Sequence, residues 1–161
     1  MATTVSKVAP FLWFAREVEE AARFYVSLIP GSSFDGSWTL EADSPSGPPG
    51  SVKVVEFTLG GVQFQAMQAG QMDNFNHAVS FVVTCDDQAE VDRLWKALGE
   101  GGTYEACGWL KDRYGVSWQI TPKVLIEMMK DKDRARAGRV AEAMLDMVKI
   151  EIAPLKKAYE G

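Results

Sequence analysis

Gly61-Val62-Gln63-Phe64-Gln65 returns as Gly115-Val116-Ser117-Trp118-Gln119, 54 residues further along a chain of 161. In each stretch apolar and polar residues alternate, the period of a strand with one buried face. Similar signals surround both copies. Ahead of the first, the apolar run Lys7–Phe14 predicts a strand, and Pro10 within it predicts an edge position. Val18, Ala21, Ala22, Tyr25 and Leu28 predict a helix over Glu17–Leu28, stopped by Pro30-Gly31. Ser33–Leu40 and Val52–Leu59 predict strands on either side of the loop SPSGPPG, Ser44–Gly50. Gly60-Gly61 then turns the chain into a strand over Val62–Met67.

Ahead of the second copy, Ala78–Cys85 predicts a strand. Asp87 and Glu90 form a capping-box-like start for a helix with the stripe Val91, Leu94, Trp95 and Leu98. Gly99–Gly102 ends that helix as a C-cap and turn. Thr103–Leu110 and Val116–Thr121 predict strands joined by a charged turn, Lys111–Gly115. Phe11 and Phe81 lie 70 apart, as do Phe24-Tyr25 and Leu94-Trp95. The excess of 16 over the offset of 54 makes the first half longer in its middle, where SPSGPPG sits. Two constant offsets and one insertion imply an internal repeat.

The fold class expected is α+β. Two β-α-β-β-β modules, 7–69 and 78–121, form a curved mixed sheet around a cleft, and a C-terminal helical extension, 122–159, completes one domain. The polar stretch Ala69–Asn76 links the halves. In the extension, Pro122 opens a helix carrying Val124, Leu125, Met128 and Met129. Asp131–Arg136 is a charged junction. Ala137, Val140, Ala141, Met144, Met147 and Val148 then form one apolar stripe, and Pro154–Tyr159 a short last helix.

The net charge of −5 and the lack of a basic cluster exclude an ordinary nucleic-acid binder. No apolar run is long enough to span a membrane, and Met1–Ser6 lacks the features of a signal peptide, so a cytoplasmic protein is expected. Two cysteines and one histidine exclude a zinc finger, an iron–sulfur cluster and any site needing several imidazoles. No Gly-x-Ser-x-Gly accompanies His77 for a serine triad.

Several stretches carry a family resemblance: Pro10–Phe14, Ala21–Tyr25, Val55–Leu59, Phe75-Asn76 and, above all, Cys107–Gln119 (CGWLKDRYGVSWQ). With the paired modules, they resemble the vicinal oxygen chelate superfamily of glyoxalase I and bleomycin-resistance proteins. More closely, they resemble its PhnB-like branch, often labelled 3-demethylubiquinone-9 3-methyltransferase. In the superfamily's metalloenzymes each module supplies one ligand from its first strand and one from its last. Carried over, those positions fall on Pro10 and Ser80, and on Gln65 and Gln119. Pro offers no donor atom, and Ser and neutral Gln are weak ligands for a divalent ion. The expectation is therefore no tightly bound metal and no cofactor.

Gln65 and Gln119 are candidates for holding a polar ligand, or for bonding backbone and water. Trp13, Phe64, Trp109 and Trp118 lie on predicted strands, either in the core or lining a cleft suited to a flat molecule. Cys107 sits near Lys111 and Arg113, whose charges favour a thiolate, or it is a small apolar strand residue. Lys111 with Arg113 can meet an anion, or the turn is merely solvated. His77 is expected at the surface and Cys85 in the core. Three functions follow. The first is binding of a small organic molecule, aromatic or quinone-like, in the cleft between modules. The second is methyl transfer as the family label states, although no Gly-rich turn follows the first strand. The third is non-catalytic sequestration of a ligand. The partners expected are that small molecule and a second copy of the chain in a homodimer, with no nucleic acid and no membrane.

Overall fold

The computed structural model describes residues 6–70 and 73–161. The start of the chain through Val5, and Gln71 and Met72 of the expected linker, lie outside them. The chain divides into two compact units, Met1–Asn74 and Phe75–Gly161.

The first unit runs β1 (Phe11–Phe14), α1 (Val18–Leu28), β2 (Ser33–Thr39), β3 (Lys53–Leu59) and β4 (Val62–Gln68). Its sheet has the order β1-β4-β3-β2. β1 and β4 are parallel and the other pairs antiparallel. Alternation decides the faces. Leu12, Phe14, Val55, Phe57, Leu59, Phe64 and Ala66 are buried together with Val18, Ala21, Ala22 and Tyr25 of α1. Two alanines in the helix stripe let it approach the sheet closely. Gln68 of β4 caps the helix, its Oε1 accepting from the Val18 N–H at 3.2 Å. On the same side Lys53 pairs with Glu19 and Arg23 lies 3.9 Å over the Phe34 ring. Pro10 stands just ahead of β1, and its carbonyl accepts from Gln65 N–H at 3.0 Å. β1 is an edge strand, as its proline predicts.

The second unit runs β5 (Phe81–Cys85), α2 (Gln88–Gly99), β6 (Thr103–Tyr104), a 3₁₀ turn (Ala106–Gly108), β7 (Trp109–Lys111) and β8 (Ser117–Pro122). The order β5-β8-β7-β6 repeats that of the first sheet. The expected single strand Thr103–Leu110 is broken. Cys107 and Gly108 both have positive φ, 59° and 80°, so the chain doubles back and β6 pairs antiparallel with β7. That break supplies the module's third strand.

The pairing also corrects the repeat register. Phe11 pairs with Gln65 and Val82 with Gln119, so the first strands are offset by 71 residues and not 70. The two residues match in environment, Phe11 being 50% and Val82 52% exposed. The buried helix stripes, Val18-Ala21-Ala22-Tyr25 and Val91-Leu94-Trp95-Leu98, are offset by 73. Phe and Trp at matching spacing had masked a shift of one residue, which exchanges the faces of a strand.

Asp87 caps α2, its Oδ1 accepting from Glu90 N–H at 2.9 Å, while Glu90 Oε2 accepts from Asp86 N–H at 2.7 Å. Gly99, still inside the helix, leaves room for the Tyr104 ring, which a Cβ there, 2.0 Å away, would displace. That ring stacks on Trp95 at 4.8 Å.

The extension forms α3 (Lys123–Met129), α4 (Arg134–Leu145) and α5 (Ile152–Glu160). Asp133 caps α4, which ends before Met147 and Val148 of the expected stripe. Leu125, Met128, Val140, Ile150 and Leu155 form its core, with Met144 and Met147 packed against it. The segment between α4 and α5 straps the extension to the second module. Cys107 and Gly108 N–H groups donate to the Met147 and Val148 carbonyls, both at 2.8 Å. The Gln88 amide donates to Ile150 O at 3.0 Å and accepts from Ile152 N–H at 2.7 Å. Lys149 pairs with Asp92 at 2.8 Å.

Candidate functional site

Each sheet packs one face under its helix, and the other face, open except where residues such as Val54 and Ser117 are covered, carries most of the candidates. In the first unit the open face carries Trp13 on β1, Gln63 and Gln65 on β4, and Glu56 and Thr58 on β3. These side chains share one face because β3 pairs Glu56 with Gln65 and Thr58 with Gln63. Gln65 Nε2 donates to Glu56 Oε1 at 3.3 Å. Asp35 stands at an irregularity in the β2–β3 register. It accepts from Ser33 Oγ at 2.6 Å and Thr58 Oγ1 at 2.7 Å. Gln63 Oε1 accepts from Ser6 N–H at 2.5 Å. Together Ser6, Lys7, Asp35, Glu56, Gln63 and Gln65 line a cleft of about 290 Å³, near the lower limit of the usual size for small-molecule sites.

In the second unit β7 and β8 pair Trp109 with Gln119 and Lys111 with Ser117, so these four side chains leave one face. Gln119 Nε2 donates to Ser80 Oγ at 2.9 Å. The exposed His77 ring meets the Trp109 ring edge-on at 6.4 Å.

The sequence candidates thus separate by strand parity. Gln65 and Trp13 share the first open face, and Gln119, Trp109 and Lys111 the second. Phe64 and Trp118 are buried between them in sequence, on the helix side. Phe64 stacks on Phe57 at 5.3 Å. Cys107 is half-buried in the 3₁₀ turn that bonds the strap, rather than on either strand. Cys85 is fully buried, and desolvation pushes its thiol up to about 12.

The sequence reading missed Asp112. It left Lys111–Gly115 as a charged turn that is either solvated or meets an anion through Lys111 and Arg113, but Asp112 is only 2% exposed. Its Oδ1 accepts from the Tyr114 and Val116 N–H groups at 2.8 and 3.0 Å, and its Oδ2 from Trp118 Nε1 at 2.9 Å. The turn that sets Lys111 beside Ser117 is organised by this carboxylate. An Asp two residues before a non-proline turn residue and six before a Trp was the available signal.

The family model for 3-demethylubiquinone-9 3-methyltransferase matches residues 6–121, both modules in full. The chain belongs to this family. A PhnB protein from Bacillus cereus, which carries the provisional name 3-demethylubiquinone-9 3-methyltransferase, is 33% identical. The match covers 73% of this chain and 99% of that one, with a TM-score of 0.64. Two further solved structures share the fold. A Pseudomonas aeruginosa protein is 22% identical over 73% of this chain and 98% of its own, TM-score 0.53. The fosfomycin resistance protein FosX from Mesorhizobium loti is 14% identical over 81% of this chain and 100% of its own, TM-score 0.52. No curated protein is similar enough to count as a relative.

This member of the family has the vicinal oxygen chelate fold but not a donor set suited to that superfamily's metals. By the corrected register Ser80 corresponds to Ala9, so Pro10 is not its equivalent. Gln65 is bonded to Glu56, and Gln119 to Ser80. Neutral amides and a hydroxyl do not balance the charge of a divalent ion. Among the described residues, no three His, Cys, Asp or Glu side chains come together to hold one. No helix among them is long and apolar enough to cross a membrane.

Proposed function

We propose that the protein binds a small organic molecule, aromatic or quinone-like, against the open face of the first unit, with Gln65 and Glu56 as its polar contacts. The observation that carries this reading is the cleft of about 290 Å³ where both side chains stand beside Asp35 and Gln63. Carboxylates and amides converging on a concave surface suit a ligand with hydroxyl or amino donors. Phe11, half-exposed on the same sheet face, gives a flat ring an apolar contact. Binding needs no metal in this reading.

The family's name states methyl transfer. Here β1 enters α1 through Ala15-Arg16-Glu17 and β5 enters α2 through Asp86-Asp87. Neither turn has the glycines that admit a nucleotide-like cofactor to a helix start.

Calorimetric titration of hydroxylated quinones and phenols tests the reading, with S-adenosylmethionine as a separate arm. Gln65→Leu is expected to weaken binding roughly fivefold, the worth of one neutral hydrogen bond. Binding that Gln65→Leu and Glu56→Gln both leave unchanged refutes the site. Saturable S-adenosylmethionine binding moves the reading to methyl transfer. For assembly we propose the homodimer. Leu145 and Val148 remain exposed outside the extension's core, and sedimentation at micromolar concentration decides it.

A further inference from the structure

The open face of the second unit carries a row of donor groups with no assigned role. β7 pairs Lys111 with Ser117, and β8 pairs Trp118 with Phe81. Ser80, one residue before β5, therefore falls next to Ser117 on its other side. Directly opposed residues of an antiparallel pair, such as Lys111 and Ser117, have Cβ atoms about 4.5–5.5 Å apart. Ser117 is 1% exposed, and its hydroxyl has no hydrogen-bond partner among the described residues. A buried hydroxyl left unpaired is costly, and such exceptions call for a reason. Lys111 is half-buried and joins none of the ion pairs among the described residues. Asp112, its sequence neighbour, is turned to the opposite face by Trp118 and the turn backbone.

The adjacent row is Trp109, Gln119 and Val82. The Trp109 ring is edged by His77, and Val82 is half-exposed. Glu105, whose N–H donates to Trp109 O at 2.9 Å, stands at the far end of that row and forms no ion pair with Lys111.

We infer that Lys111 and Ser117 form a subsite for the carboxylate of a small aromatic acid whose ring lies on Trp109. A lysine ammonium offers three donors and no acceptor, and the Ser117 hydroxyl lacks any acceptor. The missing partner must supply acceptor oxygens and negative charge, which a carboxylate does. Lys111 is the cross-strand neighbour of Ser117, and the carboxylate reaches the buried hydroxyl only if the side chains over it move aside on binding. This subsite lies wholly in the second unit and does not depend on the first unit's cleft.

Benzoate and its neutral counterpart benzamide are the probes, followed at the Trp109 indole N–H in ¹⁵N spectra assigned with Trp109→Phe. Benzoate is expected to shift that signal saturably. Benzamide and the Lys111→Met variant are each expected to bind about tenfold or more weakly, the loss of one charge-assisted contact. Lys111→Arg should retain binding within about threefold, because it keeps the charge. Ser117→Ala should weaken it by roughly threefold or more, for a hydroxyl that gains its only partner from the ligand. Spectra unchanged away from the face show that each variant is folded. Equal binding of benzoate and benzamide, an unaltered Kd in Lys111→Met, or shifts confined to Trp13 overturns the inference. So does the absence of a saturable shift at tens of millimolar benzoate.

Discussion

Asp112→Asn changes one atom and tests the most consequential buried contact of the second unit. The carboxylate takes three N–H donors, two from the turn backbone and one from Trp118. An asparagine keeps one acceptor oxygen. If that oxygen stays with Tyr114 and Val116, the new NH₂ faces the Trp118 N–H, and two donors oppose each other in a buried site. If the amide flips, two backbone N–H groups are orphaned instead. The better choice loses one charge-assisted hydrogen bond and leaves one buried donor unpaired, about 2–3 kcal/mol together. Desolvating the charged carboxylate offsets part of the native gain, which puts the loss at the lower end of that range. In a chain of this length that corresponds to a fall in Tm of roughly 5–10 °C. Urea unfolding followed by tryptophan fluorescence gives the free energy, and the Trp118 indole N–H gives the local effect through its chemical shift and hydrogen exchange. A loss under about 0.5 kcal/mol, with the Trp118 signal unmoved, would refute the assignment of Asp112 as organiser of the turn.

Gly108→Ala should cost about 3 kcal/mol or more, because φ is 80° and a Cβ would stand 2.8 Å from Ile150 Cγ1 and 2.9 Å from Ile120 O; urea midpoints check this. Alkylation of the folded protein at pH 8 should modify Cys107 and spare Cys85 until the chain unfolds, since burial pushes the Cys85 thiol up to about 12. The same shift makes stability fall by about 1.4 kcal/mol per pH unit above pH 9, where the unfolded thiol ionises and the folded one does not. Cys85→Ala should flatten that alkaline limb in urea titrations at several pH values. The Lys149 hydrogen bond holds the Asp92 carboxyl below its ordinary range, so its contribution is present above about pH 4 and lost as pH falls through the lowered value. The Tm difference between wild type and Lys149→Met should therefore shrink as the pH is lowered through the acid range, as Asp92 and Glu151, the two partners of Lys149, are protonated.

Element types were legible wherever one face of a strand or helix is buried. The stripes of α1 and α2, the SPSGPPG loop and the Gly60-Gly61 hairpin all follow from local pattern. The strand break at Cys107-Gly108 was hidden because its cause is tertiary. The αL turn is held by carbonyls of Met147 and Val148, some forty residues away. The one-residue register error arose because β1 is aromatic on both faces, so spacing alone did not say which of Phe11 and Leu12 lies beneath the helix. At the candidate sites, Gln65 and Gln119 were visible as a repeat, and strand parity then separated them from Phe64 and Trp118. Asp112 was misread because charge is normally solvated, and only its burial shows what it bonds. The strap's extra contact, Gln88 to Ile150 and Ile152, has no signature in either segment.

The cleft beside Gln65 is tested most directly by a crystal structure of the protein isolated from its own host with its retained small molecule, or soaked with the tightest-binding phenol or quinone. The account predicts density bounded by Asp35, Glu56, Gln63 and Gln65, with a ligand oxygen or nitrogen within hydrogen-bonding distance of the Gln65 amide or the Glu56 carboxylate. A ligand seated away from that face, for instance in the groove beside Val124 and Lys156, with the Gln65–Glu56 contact untouched, would contradict it.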